Sequence, residues 1–187
     1  LILGNGSDEI IDLLIRSLCQ PRDDNLIVFS PGYSMYEVCG AINDVEIRKI
    51  NLQTDLQPDW REVERQSDAS TKLIFLCTPN NPLGNVIPLA EIEKICEKFT
   101  GLVVVDEAYI DFTEFPSALT LLRRHENLFV LQTLSKAWGM AGLRLGIGYG
   151  TPALIGILNR VKAPYNISVL TQRTVLDVLE QREEFQE

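Results

Sequence analysis

Histidine is almost missing from this chain: His125 stands alone among 187 residues. A histidine-rich metal site or a Ser-His-Asp triad therefore lacks its main component. His125 follows Arg123-Arg124 in a polar connection and reads as an ordinary surface residue. The four cysteines, Cys19, Cys39, Cys77 and Cys96, form no Cys-x-x-Cys pair. Three of them lie in apolar periodic runs, the mark of buried free thiols in a reducing, cytoplasmic compartment. No block of lysine or arginine occurs, and 26 acidic against 17 basic side chains leave a net charge of -9. We therefore expect no nucleic-acid and no membrane partner. No apolar run reaches the ~18 residues of a membrane span, and the N-terminus lacks the succession of a signal peptide. The chain opens on Leu1-Ile2-Leu3 without methionine and ends on the acidic stretch Glu180 to Glu187, so we expect a piece of a longer protein.

What is present suffices for one compact domain, since 45% of the residues are hydrophobic. Ile10, Ile11, Leu14, Ile15 and Leu18 recur at helical spacing and predict a helix over Ser7 to Cys19, with Ser7 as N-cap and Asp8 and Glu9 in the first turn. Further helices are expected at Ser34 to Ile42, Pro58 to Gln66 (opened by its proline), Leu89 to Lys98 and Ser117 to Arg124. From Thr151 the pattern is helical, broken at Ala163-Pro164-Tyr165-Asn166 and resumed over Val169 to Phe185. Between these lie short apolar runs, Leu26 to Phe29, Val45 to Ile50, Leu73 to Cys77, Leu102 to Val105, Leu128 to Gln132 and Leu145 to Tyr149. Leu1 to Gly6 reads as the end of a strand or a loop. Strands apolar on both faces and alternating with helices predict an α/β fold, a three-layer αβα sandwich around a mostly parallel sheet.

Ligands in such sheets bind beyond the carboxyl ends of the strands, and the polar clusters of this chain follow strands. Gly4-Asn5-Gly6-Ser7-Asp8 precedes a helix whose free amides suit an anion, although a plain capped turn reads equally well. Pro31-Gly32-Tyr33 offers a ring for stacking or for packing, and Tyr36, one turn on, reads as core. In Thr78-Pro79-Asn80-Asn81-Pro82-Leu83-Gly84 two prolines stiffen the backbone around two amides. Asp106-Glu107-Ala108-Tyr109 ends a deeply buried strand, where an aspartate calls for a positive partner. Lys136 follows Leu128 to Gln132 and Thr133-Leu134-Ser135, with Arg144 eight residues on. We expect it in a cramped, partly dehydrated pocket that frees its amine for Schiff-base chemistry.

One ligand uses all of these groups, pyridoxal 5'-phosphate. It needs a lysine (Lys136), a carboxylate for its ring nitrogen (Asp106), donors to its phenolic oxygen (Asn81 and Tyr109) and a stacking ring (Tyr33). Its phosphate needs the Ser7 and Asp8 amides, a hydroxyl of Thr133 or Ser135, and Arg144.

These motifs, taken in order, resemble the class I/II aminotransferases among the fold-type I pyridoxal-phosphate enzymes. Within that branch the chain is similar to the histidinol-phosphate aminotransferases. The resemblance implies the roles just given, with Lys136, Asp106 and Tyr109 in the catalytic set. It also implies a cytoplasmic homodimer that moves the amino group of glutamate to imidazole-acetol phosphate in histidine biosynthesis. The partners would be small amino and keto acids, phosphorylated on the specific substrate, and no metal is implied. Threonine-phosphate decarboxylases, aromatic aminotransferases and the ligand-sensing domains of some transcription regulators share the motifs. Two departures stand out. Leu83 occupies a position where the family often has threonine, which removes one hydroxyl. The family is also longer at both ends, so residues 1–187 are expected to be the large cofactor domain, without the N-terminal arm and the C-terminal small domain, with 164–187 leading toward the latter.

Overall fold

The computed structural model describes residues 1–181. Seven strands form one sheet: β1 (Ile2–Asn5), β2 (Asn25–Ser30), β3 (Glu46–Asn51), β4 (Thr71–Cys77), β5 (Leu102–Asp106), β6 (Leu128–Thr133) and β7 (Leu145–Tyr149), in the order β1-β7-β6-β5-β4-β2-β3. The strand β7 pairs antiparallel with both β1 and β6, and every other pairing is parallel. A parallel strand needs a crossover, and helices supply most of them. They are α1 (Ser7–Leu18), α2 (Met35–Ile42), α3 (Trp60–Gln66), α4 (Leu89–Lys98), α5 (Pro152–Val161) and α6 (Val169–Glu180).

Side chains along a strand alternate between its faces, so each doubly apolar run feeds two cores. Leu26, Val28, Leu73, Phe75, Val104, Phe129 and Leu131 point to one side, against α1, α2 and α5. Their neighbours Ile27, Ile74, Leu76, Val103, Val105, Leu128 and Val130 point to the other, against α3 and α4. Each such side chain, fully buried, contributes about 1.5–3 kcal/mol, which makes the centre of the sheet a rigid platform. A third, smaller cluster joins Leu145, Ile167 and Val175, with Leu3 and Ile147 packed against it, so α6 lies over β1 and β7.

Several expectations shift. Pro58 lies outside its helix, and Asp59 caps α3 by accepting from the amides of Arg61 and Glu62 at 3.1 Å each. Ser117 to Arg124 supplies a single 3-10 turn, Ala118–Leu121, capped by Ser117. Its geometry is set by Glu107, which accepts from the Ser117 hydroxyl and the Ala118 amide at 2.6 Å. His125 is not an open surface residue. Its side chain retains 11% of its exposure, and its ring lies 3.4 Å from the Glu93 carboxylate, because the segment folds back over α4. All four cysteines are buried and free, and burial pushes the thiols of Cys19, Cys77 and Cys96 up to about 12 and that of Cys39 to about 11. The continuation of α6 to Phe185 falls outside the described residues. None of the described helices is long and apolar enough to cross a membrane.

Candidate active site

Every polar cluster singled out in the sequence lies along one edge of the sheet. The parallel strands β1, β2, β4, β5 and β6 deliver their carboxyl ends there, followed by Gly6-Ser7-Asp8, Pro31-Gly32-Tyr33, the Thr78 to Gly84 turn, Glu107 to Tyr109, and Leu134 to Lys136. The reversed strand β7 begins at the same edge, and this brings Arg144 back beside β1. Ser7, Tyr33, Asn81, Asp106, Tyr109 and Lys136 line one cleft, together with Cys77 and Ala108.

Asp106 forms its floor. It shares a strand face with Val104, two residues before it, and so points toward α1 and α2. Only 2% of the residue is exposed. The hydroxyl of Tyr36 donates to Oδ2 at 2.7 Å and the amide of Ala108 donates to Oδ1 at 3.1 Å. The expected positive partner is missing among the described residues: the carboxylate is held by neutral donors alone. Burial raises its pKa from 3.8 to about 6, opposed by those two hydrogen bonds and reinforced by the charges of Asp8 and Glu107. A buried acid left without a cation suits a ligand that brings one.

The wall toward α1 is a chain of contacts. Tyr33 donates its hydroxyl to Asp8 Oδ1 at 2.8 Å, and Asp8 Oδ2 lies 3.6 Å from the Arg144 guanidinium. Burial and the Asp8 carboxylate hold the Tyr33 phenol above its ordinary range. The start of α1 differs from expectation. Gly6 is the N-cap, with no side-chain cap, and Ser7 is already helical. Gly6 has φ +76, a backbone conformation that strains any side chain, and a Cβ there would also push the end of the Arg144 side chain aside. Gly146 is equally constrained, since its Cβ would lie 2.5 Å from the Ser7 nitrogen. The result is a tight cradle at the N-terminus of α1, with Arg144 at its rim.

On the opposite wall the Asn81 amide reaches the Tyr109 hydroxyl at 3.5 Å, and the Lys136 amine lies 5.2 Å from the centroid of the Tyr109 ring. Lys136 is exposed, contrary to the dehydrated pocket expected of it: its amine meets the Tyr109 ring, and its neighbours Ala137 and Gly139 are exposed as well. The two hydroxyl candidates also separate. Thr133 donates to the Leu145 carbonyl at 3.1 Å and accepts from the Ser135 amide at 3.2 Å, so its oxygen is committed to holding the loop. The Ser135 hydroxyl is buried and has no hydrogen-bond partner among the described residues. A buried polar atom without a partner is costly, and a ligand oxygen would satisfy it.

Tyr36 is buried, as its spacing predicts of a core residue, yet it touches Asp106. Its only sequence signal was its position three residues after Tyr33. The buried Asn80 holds the Thr78 to Gly84 turn, donating to the Pro31 carbonyl at 3.3 Å and accepting from the Leu83 amide at 3.2 Å. Leu83 itself is exposed and takes no part in the cleft.

Residues 1–187 match the family model described as aminotransferase class I and II. The chain is 51% identical over 179 residues to a histidinol-phosphate aminotransferase of Parabacteroides distasonis, covering 96% of this chain and 52% of that one. Among solved structures, the histidinol-phosphate aminotransferase of Clostridium acetobutylicum superposes with a TM-score of 0.86 at 24% identity, over 98% of this chain and 55% of the other. The L-threonine-O-3-phosphate decarboxylase of Porphyromonas gingivalis superposes with a TM-score of 0.83 at 19% identity, over 100% and 55%. At such identities these two structures share the fold. The chain spans about half the length of the curated relatives it matches.

Proposed function

The chain belongs to the aminotransferase class I and II family, and from that premise we propose that the full-length protein is a pyridoxal-phosphate-dependent transaminase using glutamate and imidazole-acetol phosphate. The observation that carries the cofactor reading is Asp106: a buried carboxylate with a donor on each oxygen and no cation among the described residues. The unpartnered Ser135 hydroxyl and the glycine cradle of Gly6 and Gly146 fit a phosphate at the same edge. The substrate reading rests on the identity of about half the aligned residues to proteins named histidinol-phosphate aminotransferases.

When bound, the cofactor supplies a carbonyl carbon that accepts an amino group and a ring that draws electrons from it. The chain's own residues supply the rest. The Asp106 carboxylate pairs with the protonated ring nitrogen, so two charges that would be costly apart cancel in the buried floor. Asn81 and Tyr109 donate to the phenolic oxygen, and Tyr33, tethered through Asp8, presents its ring for stacking. Ser135, Arg144 and the Ser7 and Asp8 amides bind the phosphate, while Thr133 positions the Ser135 backbone rather than the ligand. Lys136 Nζ would be the amine that holds the cofactor through its carbonyl carbon and, as a free base, the group that moves the proton at the substrate carbon. Its exposure fits an amine that an incoming substrate must reach.

In this reading residues 1–187 are the large cofactor domain, 164–187 lead toward a smaller one, and the whole protein is a cytoplasmic homodimer. The test is amino-group exchange by the full-length protein, pairing glutamate with imidazole-acetol phosphate and, separately, with aromatic keto acids. Histidinol phosphate and 2-oxoglutarate are the expected products. Carbon dioxide released from threonine phosphate without exchange would overturn the assignment, as would preference for an aromatic keto acid.

A further inference from the structure

Tyr36 is held more firmly than a core aromatic requires. Its ring stacks on Phe75 at 4.6 Å with planes 13° apart, and Tyr33 closes it edge-on at 5.5 Å. Phe75 lies on β4 and Tyr36 in the first turn of α2, so the phenol is fixed between sheet and helix. Its oxygen lies beside the Cys77 thiol and donates to Asp106 Oδ2 at 2.7 Å.

We propose that Tyr36 is a positioning residue of this site: its hydroxyl, donated to Oδ2, keeps Asp106 ionised and aimed into the cleft. The proposal rests on the reading of Asp106 as the partner of the cofactor's ring nitrogen. The groups around the carboxylate make the need plain. Asp8 faces it from α1, Tyr33 from the loop before α2, Cys77 from the paired position on β4, Glu107 from the next residue and Tyr109 from the following turn. None of these is a cation, and Lys136, which lines the same cleft, is exposed and sits against the Tyr109 ring. A carboxylate among acids and phenols protonates unless donors hold its charge. The Ala108 amide does so on Oδ1 and Tyr36 does so on Oδ2, and a further lone pair stays free for the ligand. A phenylalanine would fill the same space and stack on Phe75 equally well, so packing alone leaves the hydroxyl unexplained.

The experiment is a carboxyl-carbon NMR titration of Asp106 in the full-length protein stripped of cofactor, comparing wild type with Tyr36→Phe. The midpoint should rise in the variant by about one pH unit, tenfold in the protonation equilibrium, as expected for loss of a hydrogen bond to a charged group. Pyridoxal phosphate added to both proteins should bind the variant several-fold more weakly near pH 6.5 and equally well near pH 9. Replacing Tyr36 by 3-fluorotyrosine, a stronger donor of nearly the same shape, should move the midpoint down. That substitution also carries the test if Tyr36→Phe fails to fold. An unchanged Asp106 midpoint in Tyr36→Phe, or in the fluorotyrosine protein when Tyr36→Phe does not fold, overturns the proposal. Failure of the cofactor reading has a different signature: the wild-type protein would then show no bound pyridoxal phosphate, whatever Asp106 does in the titration.

Discussion

Asp106→Asn should make the cofactor-free protein more stable, although it removes a group central to the site. The carboxyl's pKa is 3.8 when unperturbed and about 6 in the fold. An acid with a raised folded pKa binds protons more tightly folded than unfolded, so stability is highest below the unfolded value and falls as pH rises through the interval. That interval is roughly two pH units at about 1.4 kcal/mol each, so ionised Asp106 lowers stability by about 3 kcal/mol at neutral pH. Asparagine removes the charge and keeps the shape. Its carbonyl can accept from one of the two donors, Tyr36 or Ala108, while its amide needs an acceptor, which the Tyr36 oxygen can become by rotating its hydrogen. Imperfect pairing offsets part of the gain, leaving an expected advantage of about 1–3 kcal/mol. Urea unfolding of the full-length, cofactor-free protein at pH 7.5, 5 and 4 measures it, and the comparison with wild type cancels all other titrating groups. The advantage should be full at pH 7.5 and vanish or reverse at pH 4, where the charge penalty is gone and the pairing cost remains. With pyridoxal phosphate present the order should reverse, because wild type gains the pairing to the ring nitrogen. Equal stability at pH 7.5, or an advantage independent of pH, would refute the account of Asp106 as a charge kept at a folding penalty.

Lys136→Ala should abolish the borohydride-reducible covalent adduct with pyridoxal phosphate, read by mass spectrometry. Because Lys136 is exposed and touches little beyond the Tyr109 ring, folding stability should change by no more than about 0.5 kcal/mol. An adduct that persists would transfer the role to another lysine. Gly146→Ala places a Cβ 2.5 Å from backbone atoms of Gly6 and Ser7, so β1 must move from β7 or the start of α1 must shift. Urea unfolding should show a loss of about 1–3 kcal/mol, together with weaker cofactor affinity. Wild-type values for both would mean that the cradle has room to spare.

Much of the architecture could be read locally. The runs Leu73 to Cys77 and Leu102 to Val105 are apolar at consecutive positions, and only a sheet covered on both faces buries every residue of such a run. Apolar positions recurring at helical spacing predict α4 at its observed ends, Leu89–Lys98. Helix starts were less legible. Ser7 and Pro58 have the right residue types for a first turn, but Gly6 and Asp59 take the cap, the former because Arg144, from a distant strand end, closes against it.

The composition of the cleft was likewise local: each polar cluster follows an apolar run, and chain direction alone sends the ends of parallel strands to one edge. Which atoms meet there was not. Tyr36 and Asp106 are 70 residues apart, and their contact depends on α2 packing over the β4 face and on the register that sets Cys77 opposite Asp106. Thr133 and Ser135 are equivalent as hydroxyls in sequence, and only the pairing of β6 with β7 commits one to the Leu145 carbonyl and leaves the other without a partner. Residue types and their periodicity determined the layers and the inventory of the site, because burial and pleat act over a few residues. Strand order and register decided the hydrogen bonds and the charge state of Asp106, because these arise between segments that no local pattern brings together.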